Sequence, residues 1–120
     1  MRRAFLASLF GFALAACASS DAPPTQRFSG VWEWHFETSS FTTHSGEGPY
    51  WLHGEGQVWE DLNAPFARAG AGPWGQVRLV IDGELSAPGQ YGHLGAYARE
   101  LRVTRVIEAE LIASRQRSGN

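Results

Sequence analysis

The stretch QVWEDLNAPFARAG, residues 57–70, breaks the rhythm of the segments on either side of it. Val58, Leu62 and Phe66 recur every four residues, the spacing that lines up one face of a helix. Pro65 opposes a single unbroken helix, because an interior proline costs about 3 kcal/mol. The reading is therefore a first turn ending near Leu62, then Asn63 capping a second short turn that starts at Ala64 or Pro65 and stops at Gly70. Where this helical segment falls in the chain decides the fold.

Three strand-like segments precede it. In GVWEWHFE, residues 30–37, Trp32, Trp34 and Phe36 alternate with Glu33, His35 and Glu37, the period-2 pattern of a half-buried strand. SSFTT is a shorter extended segment, and HSGEG turns the chain into PYWLHG, a third apolar strand. Two more strands follow. QVRLVIDGELS puts Val77, Leu79 and Ile81 on one side, with Arg78 and Asp82 on the other. RELRVTRVIEAELI is the last and longest, and Val106 and Ile107 break the phase set by Leu101 and Val103, as a β-bulge would. Three strands, a short helix and two strands are the element order of an OB-like fold: a small five-stranded antiparallel barrel with a helical segment between strands 3 and 4. A small β-sandwich or meander is the alternative.

The start of the chain carries an address. Arg2 and Arg3 precede the apolar run AFLASLFGFALAA, too short for the roughly 20 residues of a membrane span and suited to a cleavable export signal. The run ends in Leu14, Ala15, Ala16 and Cys17, the chain's sole cysteine, so no internal disulfide can form. LAAC resembles the lipobox of bacterial lipoproteins, which implies diacylglyceryl transfer to the Cys17 sulfur and cleavage just before it. The small Ala15 and Ala16 suit a narrow protease groove, and the thiolate is the soft nucleophile that takes the lipid. The expected organisation is a signal peptide over 1–16, a lipidated cysteine and flexible tether over 17–27, one barrel domain over 28–112, and a disordered tail over 113–120. Loss of Arg2 and Arg3 with the signal takes the formal charge from −2 to −4. Ala18 after the cysteine, where aspartate would signal retention, implies the outer membrane, facing the periplasm.

No constellation points to a reaction. His35, His44, His53 and His93 lack a two-ligand helical spacing such as H-x-x-x-H. His35 could share a strand face with Glu33 and Glu37, each about 6.6 Å away along the strand, which makes these three the weak metal candidates beside a reading of no metal. Glu33 and Glu37 would stand about 13 Å apart, too far for a glycosidase pair, and DGE at 82–84 marks a bend or bulge more readily than an acid–base pair. There is no G-x-S-x-G, and the glutamates of GEGPYWLHGEG would repel a phosphate. Neither an enzyme nor a bound cofactor is expected. Arg99, Arg102 and Arg105 could make a basic cluster, but an acidic, lipid-held chain argues against nucleic acid as a partner.

The most particular stretch is YGHLGAYARE, residues 91–100. Tyr91, His93, Leu94 and Tyr97 crowd a glycine-rich loop that offers two readings. Leu94 and Tyr97 fold back to close a barrel mouth, with His93 bonded to backbone, or the loop shapes a shallow recognition patch. Together with GVWEWHFETSSF and YWLHGEG, this stretch resembles a class of short, uncharacterised bacterial lipoproteins and envelope proteins marked by FExSxF, a WL strand and YGHLGAYxRE, in that order over most of Phe28–Ile107. The last motif is the specific one. Members often carry a cysteine after the SxF segment, where this chain has Thr43 and His44, so chemistry of that thiol does not carry over. The resemblance implies an envelope location and no particular reaction.

The functional expectation is a lipid-anchored, non-enzymatic binding or accessory module of the cell envelope, held to the membrane by its N-terminal lipid and meeting an envelope protein or a cell-wall component. The alternative is a periplasm-facing metal- or small-ligand-binding sensor built on His35, Glu33 and the loop around His93.

Overall fold

A computed structural model describes residues 23–72 and 74–114. Cys17 and the preceding Leu14, Ala15 and Ala16 lie outside the described residues, as does the tail beyond Ser114. Five strands, β1 (Thr25–His35), β2 (Thr38–Thr43), β3 (Tyr50–His53), β4 (Gly75–Leu85) and β5 (Glu100–Ser114), close in a ring in the order β1-β2-β3-β5-β4. Helix α1 (Gly56–Arg68) stands between β3 and β4. The protein is thus mainly β, with the OB-like element order. One sheet closes on itself, so neither the sandwich nor the open meander forms. The sheet is mixed, because β3 and β5 pair in parallel while the other pairings are antiparallel.

Two expected boundaries move outward. Thr25, Gln26 and Arg27, expected in a flexible tether, are the first residues of β1 and pair with Glu84, Gly83 and Asp82. Ala113 and Ser114, expected in the tail, pair with Gln76 and Gly75. In both places polar residues are held by the backbone ladder, which needs no apolar side chain.

The phase break in β5 is a bulge, and it is not alone. Val80 pairs with Glu108 and Ile81 with Val106, which leaves Ile107 as the extra residue; Thr104 and Ile112 are extra in the same way. Each extra residue shifts the inward phase by one, so that Leu101, Val103, Val106, Ala109 and Leu111 all meet the core although their spacing is irregular. Such bulges curl a strand, as closure of a small barrel demands. Gly83 helps: a Cβ there would lie 2.8 Å from the Arg102 carbonyl oxygen, so a larger residue would force β4 away from β5.

The core is Phe28, Trp32, Phe41, Leu52, Val77, Leu79, Ile81, Leu101 and Val103 from the barrel, with Leu62 and Phe66 from α1. Phe66 stands edge-on to Trp32 and Trp34, with ring centroids 6.2 and 5.8 Å away. Contrary to the sequence expectation, α1 is one continuous helix through Pro65. Proline lacks a donor and its ring crowds the carbonyl of Asp61, but that carbonyl belongs to an exposed residue that water can reach. Burial of Pro65 and Phe66 offsets the rest. Asn63 caps nothing. Its Nδ2 donates to the Trp59 carbonyl at 2.8 Å, inside the same helix.

Candidate functional site

The β1–β2 turn and the β4–β5 connection converge, and the residue pair that joins them is Glu37 and His93. His93 Nε2 lies 3.1 Å from Glu37 Oε2, with both side chains partly exposed. Glu37 has φ 59°, a left-handed conformation that side chains rarely adopt. That conformation turns it out of the line of β1 and toward the other loop. Phe36 is 69% exposed beside it.

The β4–β5 connection is built tightly. Tyr91 and Tyr97 exchange backbone hydrogen bonds of 2.9 and 3.1 Å, and Gly89 N–H donates to the Ala98 carbonyl. The Tyr91 hydroxyl donates to the Ala87 carbonyl at 2.8 Å. Gly92, at φ 71° and ψ −160°, lies against the Trp51 ring, where any Cβ would overlap the indole. Tyr97 meets the same indole edge-on at 5.2 Å. The tip, a 3₁₀ turn over His93–Gly95, holds Leu94 at φ 56° and 90% exposed. An aliphatic side chain in a strained backbone conformation, held out into solvent by a well-bonded loop, contributes little to the core.

These positions correct several expectations. Leu94 does not fold back over a barrel mouth but is 90% exposed, while Tyr97 packs on Trp51 at the outer face of β3. His93 bonds to a side chain and not to backbone. The three weak metal candidates are not brought together: His35 Nε2 lies 3.3 Å from Glu33, while Glu37 turns to His93. Among the described residues no three His, Cys, Asp or Glu side chains converge as a metal site would require. Glu33 and His35 instead border a shallow groove of about 400 Å³ with Trp34 and Gln76.

A second groove, of about 440 Å³, lies where β3 meets α1 and is lined by Trp51, His53, Glu55 and Trp59 over Gly54 and Gly56. His53 Nε2 stands 3.9 Å from Glu55 and 3.7 Å from Glu100. The sequence raises His53 only as one of four histidines and Glu55 only as a charge that repels phosphate, and does not bring them together with Trp51 and Trp59. The signal was present in YWLH, where the inward Leu52 sends Trp51 and His53 to the outer face.

Several charges on the rest of the wall are paired. Arg102 donates to Glu84 at 2.8 Å, and that bond raises the arginine above its usual range. Arg27 binds Asp82 at 3.0 Å and holds its carboxyl below the usual carboxylate range. Arg99 donates to the Ser86 carbonyl at 3.1 Å. Of the arginines weighed as a basic cluster, Arg99 and Arg102 are therefore engaged with partners of their own, and Arg105 faces Asp82 across the strand register. Asp82 and Glu84 are held by arginines rather than by each other. Burial raises Tyr50 above the usual phenol range, with Glu47 adding to it. No family model, no curated protein and no solved structure matches this chain.

Proposed function

We propose that this chain is a lipid-anchored protein of the bacterial cell envelope, moored through Cys17 to the outer membrane facing the periplasm. Its barrel acts as a non-enzymatic binding or accessory module whose contact surface is the joined β1–β2 and β4–β5 loops. The observation that carries the reading is Leu94. A well-bonded loop displays it almost fully to solvent at a positive φ, and its neighbour His93 pairs with Glu37, the neighbour of the exposed Phe36. Strain retained without a packing benefit points to an outward use, and exposed large apolar groups on a rigid frame are anchors for a partner. The partner class is an envelope protein or a cell-wall component.

Two measurements test this in cells. Cys17→Ser should abolish acylation of the N-terminal peptide and its cleavage before residue 17, as read by mass spectrometry; normal processing of that variant removes the anchor. A photo-crosslinking amino acid at Leu94 should give a discrete adduct that the same group at Gln57, exposed on α1, does not. Equal or absent labelling at the two positions removes the binding surface.

A further inference from the structure

The groove between β3 and α1 is a site in its own right, and we propose that it binds a neutral sugar unit, a pyranoside without acidic groups. The argument does not depend on what Leu94 meets. Two indoles frame the groove and neither is free to move. Trp51 is covered on one side by Gly92 and edged by Tyr97. Trp59 stands edge-on to Trp32 at 5.9 Å and to Trp34 at 5.3 Å. Immobile, half-buried aromatic rings bind at a small entropic cost, since their rotamers are already fixed. The C–H face of a pyranose ring offers them an apolar surface to cover.

Polar side chains, His53 and Glu55, line the groove beside the rings. His53 lies between Glu55 and Glu100, and Arg102, bound to Glu84, also feels the charge of Glu55 and Glu100. Glu55 accepts hydrogen bonds from hydroxyls, and His53 donates or accepts according to its tautomer. Glu55, 78% exposed at the rim, repels an anionic sugar. The volume suits one or two sugar rings. The YGHLGAY loop then gains a second task, as the clamp that holds the Trp51 platform.

The test uses the purified full chain, titrated with chitotriose and separately with maltotriose while tryptophan fluorescence is followed. A saturable change with at least one of them, with a dissociation constant on the order of 1 mM, is expected. His53→Ala and Glu55→Ala, at partly or fully exposed positions that leave the core intact, should each weaken it about tenfold, the loss of a hydrogen bond or two. Arg68→Ala, at the far end of α1, should leave it unchanged. The proposal is overturned if neither trisaccharide binds, if both groove variants bind as the native chain does, or if trigalacturonate or tetramethylammonium binds as tightly as the neutral sugars.

Discussion

At the scale of single residues, Leu94 and Gly92 show opposite uses of a positive φ. Gly92 stands at φ 71° where the Trp51 ring leaves no room for a side chain, so only glycine serves. Leu94 occupies one at φ 56° with its side chain in water, so nothing in the described structure compensates its strain. A left-handed conformation costs a branched aliphatic residue roughly 1–2 kcal/mol, whereas asparagine tolerates it through local hydrogen bonding. Leu94→Asn should therefore stabilise the fold by about 0.5–1 kcal/mol, read as a higher urea midpoint at unchanged slope. A loss of stability of similar size would mean that Leu94 packs against the domain in solution, and its role as a displayed anchor would fall. The expected gain is the mark of a residue kept for contact and not for folding.

At the scale of elements, one small side chain ties three strands together. Ser39 of β2 is buried, accepts from Trp32 Nε1 of β1 at 2.9 Å, and donates to the Leu52 carbonyl of β3 at 2.5 Å. Ser39→Ala strands a fully buried indole N–H, and the expected cost is about 2–3 kcal/mol in chemical denaturation. A loss under about 0.5 kcal/mol would show that water or a shifted Trp32 satisfies the donor. Nothing in SSFTT announces this role, because a serine in a strand reads as surface until its face is known. The contrast with β5 explains what a sequence can and cannot reveal. The break at Val106 and Ile107 was legible, since a bulge alters a periodicity that lies within one segment. The continuity of α1 through Pro65 was not, since it depends on which carbonyl faces water and on what Phe66 packs against. The meeting of Glu37 with His93, 56 positions apart, depends on how strongly the ring of strands is sheared, which no local pattern encodes. The aromatic loop is visible in the sequence as an unusual stretch, but whether Leu94 folds inward or stands out is not, because that depends on the backbone of the loop tip.

At the scale of the whole molecule, the outer wall of β1, β4 and β5 is laced by ion pairs that follow the strand register. Arg27 faces Asp82, Arg78 faces Glu110 and Arg102 faces Glu84, each pair directly opposite across neighbouring strands. Cross-strand opposition is where charge pairs support a sheet best. Asp82 is central to this arrangement, because its register partners on both sides, Arg27 of β1 and Arg105 of β5, are cationic. The hydrogen bond from Arg27 is the main cause of its lowered pKa, and both arginines add to it through their charge. A carboxyl held below its unfolded value lends stability that is complete above the unfolded pKa, near 4, and is lost as pH falls through the lower folded value. The native chain should therefore exceed Asp82→Asn in thermal midpoint at pH 7, with the gap narrowing as the pH is lowered from about 5 toward 2. Because both positions are solvent-accessible, the gap should also shrink in high salt. A difference that stays constant across that range of pH would mean that Asp82 titrates alike in the folded and unfolded chains. The seam between the first strand and the fourth would then be held by its backbone ladder and the apolar interior alone.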